Sequence, residues 1–143
     1  MAFEPNKLTF DACVERIRTA VEKSGVSAPK DKILTSKSTG VAKATEALQT
    51  HNIPAGFHKW QLPVYLASPS QFFVSVGTPG TKVAEHSHDE GDGLRYIVSG
   101  SIIHDGVELA AGDWMFIPRG TKYSIEVGRL GATMFYCYSC CCA

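Results

Sequence analysis

From about residue 57 onward the chain is a succession of short apolar runs broken by Gly, Pro, Asp and Ser, and this pattern limits the possible folds most. The runs at 60–66, 71–76, 82–88, 93–98, 101–104, 107–109, 114–118, 123–127 and 133–138 are rich in Val, Ile, Phe and Tyr and have strand length. Asp105-Gly106 sits between two of them, and a two-residue turn with positive φ at both positions suits this pair, so a hairpin is expected there. Gly100 leaves room only for a tight turn, and Pro118-Arg119-Gly120 marks another sharp change of direction. Eight or nine short strands in this space imply an all-β fold, a sandwich or a barrel of the jelly-roll type.

The residues before this region read differently. Phe10, Cys13, Val14, Ile17 and Val21 recur at helical spacing, behind Thr9 or Asn6 as a cap and ahead of Gly25 as a stop. A shorter helix is expected after Ser38 or Thr39, using Val41, Ala44, Ala47 and Leu48, with the polar stretch 27–37 as a loop. The organisation expected is an N-terminal helical extension, 1–56, followed by a barrel, 57–143, making one structural domain of 143 residues.

Fourteen basic residues face fourteen acidic ones, so the formal net charge is zero, and bulk attraction to nucleic acid is not expected. No stretch approaches the ~20 apolar residues of a membrane span. The start lacks a basic region followed by an apolar one, so the expectation is a cytoplasmic protein with neither membrane nor nucleic-acid partners. Four of five cysteines, Cys137, Cys140, Cys141 and Cys142, fall in the last seven residues. An odd number packed at one end is not a disulfide framework; they read as thiols. Cys137-x-x-Cys140 has spacing that soft metals accept, while the plainer reading is a core Cys137 followed by a frayed end.

The chemistry-bearing stretch is Glu85-His86-Ser87-His88-Asp89-Glu90-Gly91-Asp92. On a strand, residues two apart point to one face, so His86 and His88 present two imidazoles together. With one carboxylate they would form the two-His-one-carboxylate set that first-row transition metals favour, leaving open coordination positions. The competing reading is a pair of surface histidines beside an acidic turn.

Gly80, five residues, His86-Ser87-His88 and then Gly100 resemble the first motif of the cupin superfamily, G(X)5HXH(X)3,4E(X)6G. Gly112, five residues, Pro118 and Gly120 resemble the second, G(X)5PXG(X)2H(X)3N. The resemblance covers about 50 residues directly, and a cupin is itself a small jelly-roll barrel. The chain departs from the pattern at three ligand or terminal positions. The family glutamate falls on Gly93 when counted back from Gly100, whereas three residues forward from His88 lead towards Asp92. The second-motif histidine falls on Tyr123 and its asparagine on Val127.

Three readings of the site follow. The first is a metal held by His86, His88 and Asp92, completed by water or by Glu90. The second is completion by another residue, with His58, His104 and the terminal thiols as candidates. The third is a barrel without metal that binds a small apolar ligand. Tyr123 is expected as a hydrogen-bond donor or pocket wall. Arg95 either faces inward, as an anchor for a substrate carboxylate or a partner of Asp92 or Glu85, or outward as a solvated charge. Phe72, Val74 and Val76 share one face, as do Trp114 and Phe116, and Met134, Tyr136 and Tyr138; most read as core.

The resemblance implies a metal-dependent enzyme acting on a small, mostly apolar organic substrate, with oxygenase, isomerase or cyclase chemistry. The implied metal is Fe(II), with Zn, Mn or Ni as alternatives, and the implied assembly is a homodimer. Tyr123 and Arg95 would steady developing negative charge. The reading from a different class is a non-catalytic ligand- or metal-binding barrel.

Overall fold

A computed structural model describes residues 8–26, 32–51, 53–55, 58–66, 70–89 and 91–138. Asn6, Glu90, Cys140, Cys141 and Cys142 lie outside the described residues. The chain divides into two compact units: Met1–Ala28 with Lys37–Tyr65, and Pro29–Ser36 with Leu66–Ala143.

The first unit contains helices α1 (Phe10–Ser24) and α2 (Val41–Ala47). Thr9 caps α1, its Oγ1 accepting the Ala12 amide proton at 3.2 Å, and Gly25 ends it in the left-handed conformation that favours glycine. Val14, Ile17 and Ala20 form its buried face, whereas Phe10 in the first turn is exposed, so the expected stripe begins one turn later. Val41, Ala44 and Leu48 are the buried positions of α2. Arg16 Nη1 donates to Gln61 Oε1 at 2.7 Å, tying the segment after α2 to α1. The run at 60–66 forms only one bridge, Gln49 to Trp60, because Pro63 within it has no amide hydrogen to give a ladder. No helix among the described residues is long and apolar enough to cross a membrane.

The second unit is an antiparallel sheet folded into a jelly roll. Its strands are β1 (Leu34–Thr35), β2 (Gln71–Gly77), β3 (Lys82–His86), β4 (Gly93–His104), β5 (Val107–Ala110), β6 (Trp114–Ile117) and β7 (Tyr123–Tyr138). The spatial order is β1-β6-β4-β7-β2, with β3 on β7 and β5 on β4. The stretch expected as a loop thus contributes β1, since Leu34 is apolar, buried and paired with Phe116. The Asp105-Gly106 hairpin forms as expected, with φ of 49° and 76°.

The turn expected at Gly100 is not one. Gly100 lies inside the 12-residue β4 and Gly131 inside the 16-residue β7. Both have positive φ, 70° and 78°, and the β4–β7 register shifts between Gly100 and Ile102. A glycine bulge bends a strand without ending it, so two long strands each turn the corner of the roll. Each then pairs with different neighbours on either side of its bend. The core inside holds Ile97 and Ile102 of β4, Leu109 of β5, Met115 and Ile117 of β6, and Ile125, Val127 and Met134 of β7. On the opposite face of β2, Phe72, Val74 and Val76 are 67%, 71% and 76% exposed, and Phe72 stacks on Phe135 with ring centres 5.6 Å apart.

Candidate functional site

Backbone pairing brings the two sequence motifs to one place. His86 ends β3 opposite Tyr123, the first residue of β7. Beyond β3, the loop is stitched to the turn at Pro118: Gly120 N donates to His88 O at 2.8 Å and Arg119 N to Asp92 Oδ1 at 2.8 Å. Arg119 Nε also donates to Asp89 O. Two acceptors of the loop, one from each end, are therefore held by a single arginine, and the loop carries His88 back beside His86 although it has left the strand. Their ring centres are 5.1 Å apart, edge to face.

His86 Nδ1 lies 2.8 Å from Ala84 O, which selects the tautomer with its proton on Nδ1 and presents Nε2 as a lone-pair donor. Tyr123 closes the group: its ring centre is 4.6 Å from that of His86, and its Oη is 3.4 Å from His88 Nε2. That distance is long for an O–H···N hydrogen bond, so the phenol is a loose partner of His88. Asp92 is not gathered in with the imidazoles, its Oδ1 holding the Arg119 amide instead. Among the described residues no three His, Cys, Asp or Glu side chains converge as a metal-ligand cluster. His104 Nδ1 lies 3.0 Å from Ser124 O near the Asp105 hairpin, and His58 belongs to the other unit. Cys137 is buried in β7, and burial pushes its thiol pKa up, as suits a core position.

The histidines open on a cavity of about 480 Å³. Its apolar wall includes Phe73, Val83, Ile125, Val127 and Met134, and its polar groups include His86, His88, Tyr123, Arg95 and Tyr136. Strand parity decides the orientation that sequence left open for Arg95. Tyr96 and Val98 on β4 are outward and exposed and Ile97 is fully buried, so Arg95 faces the interior. Phe72, which strand alternation left as a candidate for the core, is turned outward, and Phe73 lines the cavity.

Tyr136 and Tyr138 are the site residues that sequence reading assigned to plain core. Tyr138 is fully buried, with its ring centre 5.0 Å from that of His88 and 5.7 Å from that of Tyr136. The signal available for them is their even spacing from Met134 on the inward face of β7. Gly93, which stands where the family glutamate would, now has a physical reason. A Cβ built there would lie 2.7 Å from Tyr136 Oη and 3.0 Å from its Cε2, so the phenol occupies the space a side chain at 93 would need. Gly93→Ala should cost about 1–3 kcal/mol by overpacking. Adding Tyr136→Phe should return part of that loss, read as non-additivity in a double-mutant cycle of urea unfolding; strict additivity would contradict the contact.

Burial, followed by the neighbouring Tyr123, raises the Tyr136 pKa to about 12 against an opposing contribution from Arg95. The folded state thus holds this proton more tightly than the unfolded chain, whose tyrosines titrate near ~10. The stability so gained is complete below pH ~10 and is lost as pH rises towards about 12. Urea midpoints from pH 9 to 12 should fall more steeply in the wild type than in Tyr136→Phe. Parallel declines would contradict the assignment.

No family model matches this chain, and no curated protein matches it. Solved structures do resemble part of it. An RmlC-like cupin from Shewanella frigidimarina NCIMB 400 is 23% identical, over 49% of this chain and 65% of its own, with a TM-score of 0.43. A predicted oxalate decarboxylase from Thermotoga maritima is 27% identical over the same shares, 49% and 65%, with a TM-score of 0.43. KdgF from Halomonas sp. is 17% identical over 55% of this chain and 76% of its own, with a TM-score of 0.46. The likeness thus spans about half of this chain and less than two thirds of the first of these proteins. The cupin-type jelly roll itself rests on the strand order and on the two motifs, which the pairing of β3 with β7 brings together.

Proposed function

We propose that the second unit is a cupin-type small-molecule site, in which His86 and His88 are the nitrogen ligands of a divalent transition metal. The observation that carries this reading is the pairing of the two imidazoles at the cavity wall, with His86 turned by the Ala84 carbonyl so that Nε2 is its free donor. Two imidazoles on one ion, with metal–nitrogen distances of about 2.1 Å, require rings about as close as these. The residues present fit two ligand positions. The carboxylate expected from Asp92 is engaged at Arg119, so water or substrate oxygens would complete the set.

Fe(II), or Zn, Mn or Ni, would supply Lewis acidity there and, with iron, oxygen chemistry of the dioxygenase type. The chain's own contribution is positional. Tyr123 Oη, beside His88, offers a proton to an oxygen bound at that corner, and the apolar wall excludes water from the rest of the substrate. The substrate class is a small, mostly apolar organic molecule with one oxygenated end. If the chain forms a homodimer, the apolar row Phe72, Val74 and Val76 is the face a second copy would cover.

A second reading, ligand binding without metal or catalysis, is favoured by one observation: Tyr123 stands where the second-motif histidine would, and a phenol is a poor ligand for most divalent ions at neutral pH. Metal analysis of protein purified without a histidine tag separates the two. Stoichiometric metal that is lost in His86→Ala supports the first reading, and none in either protein supports the second.

A further inference from the structure

Arg95 is a half-buried cation with no anion among the described residues. It lines the cavity from β4, yet its Nε is buried and makes no hydrogen bond. Its neighbours are weak ones. Nη1 points to the Met134 sulfur at 3.7 Å, and the guanidinium carbon lies 4.4 Å from the centre of the Tyr136 ring. No carboxylate of the described residues forms an ion pair with it; the ion pairs found are Arg18–Glu15 and Lys82–Glu126. Asp92, a partner considered on sequence grounds, is held at Arg119. Beside Arg95 a second polar atom, Tyr136 Oη, is also buried and makes no hydrogen bond of normal geometry, although the Tyr123 hydroxyl lies near enough to act on its proton.

Leaving both groups unsatisfied is costly, since a buried donor without an acceptor forfeits its solvation. Two such donors in one cavity, with Phe73, Val83, Ile125, Val127 and Met134 as its apolar wall, form an incomplete binding site. We infer that this cavity takes a small organic carboxylate, its apolar body against that wall and its carboxylate on Arg95 and Tyr136. A guanidinium offers two parallel N–H donors to a carboxylate, and the phenol adds a third. Tyr136 holds its proton far above neutral pH, so it remains a donor under any ordinary condition. An uncharged ligand would leave the arginine uncompensated. A phosphate monoester would bring two charges to a cavity with one permanent cation.

This inference rests on the reading of the cavity as the small-molecule site, but not on the metal. The test therefore uses protein stripped with chelator. Benzoate is the probe and benzamide its uncharged counterpart of the same shape, both titrated by calorimetry. Benzoate should bind the wild type at least about tenfold more tightly than benzamide, and Arg95→Gln should remove that preference. Tyr136→Phe should weaken benzoate several-fold, while His86→Ala should leave the preference in place. Equal binding of the two probes to the wild type, no benzoate binding, or a preference that survives Arg95→Gln would each overturn the inference. If Arg95→Gln does not fold, the wild-type comparison and the His86→Ala result still decide it. Metal absent with benzoate preferred would contradict only the metal reading. Metal present with no preference would contradict only this one.

Discussion

Gly100→Ala should destabilise the barrel by on the order of 4 kcal/mol, a large part of the 5–15 kcal/mol that holds a typical domain together. Two costs add. The residue has φ +70°, and an L side chain in that conformation costs about 1–2 kcal/mol. The added Cβ would also overlap the Gly131 carbonyl oxygen and lie 2.7 Å from its carbon, and both belong to the backbone of β7. A flexible side chain can rotate away from such a clash, whereas here two strands must part at the corner where both bend. Gly106→Ala is the control, because its φ is +76° but nothing lies within 4 Å of the new Cβ. It should show the conformational cost alone. Urea unfolding of both variants checks the argument: a Gly100→Ala loss within about 1 kcal/mol of the Gly106→Ala loss would mean that the corner is slack.

Removing both imidazoles should abolish metal binding, and removing either should weaken it by about 100-fold or more. Mutating an outer partner that merely orients a ligand commonly costs 10–100-fold, so the loss of a ligand itself must exceed that range. The effect should be severe here because the described residues offer no third histidine, cysteine or carboxylate to take over. Asp92→Ala is the informative contrast. Its recorded hydrogen bond is to the Arg119 amide, so the variant should loosen the loop that carries His88 and weaken binding less than either histidine variant. Competition against a chromophoric chelator measures all four variants against the wild type. Equal losses for Asp92→Ala and His86→Ala would return Asp92 to the ligand set.

Much of the barrel is readable from local chemistry, because its boundaries are written in turn residues. Asp105-Gly106 and Pro118-Arg119-Gly120 act through backbone preferences that need no tertiary information. Gly100 misleads for the same reason. Positive φ serves a turn and a bulge equally, and only pairing with the neighbouring strand distinguishes them. β1 escapes notice because a two-residue strand has no periodicity to detect.

The site divides along the same line. The His86–His88 pair is visible from spacing, and Tyr123 from its place in the second motif. Arg95 could be reduced to a question of parity but not answered, since its direction depends on where β4 meets β7. Tyr136 stays hidden because an inward tyrosine on a core strand looks like any other buried aromatic. Its role emerges only with Gly93, which leaves the space that the phenol fills. Asp92 illustrates the converse: proximity in sequence to His88 suggested a ligand, but in space its Oδ1 accepts the Arg119 amide.

X-ray absorption at the edge of the bound metal tests the account most directly. The account predicts two imidazole nitrogens and otherwise oxygen donors from water or substrate, with the imidazole contribution gone in the His86→Ala, His88→Ala double variant. A sulfur shell, or an unchanged spectrum in that double variant, would place the metal elsewhere and contradict it.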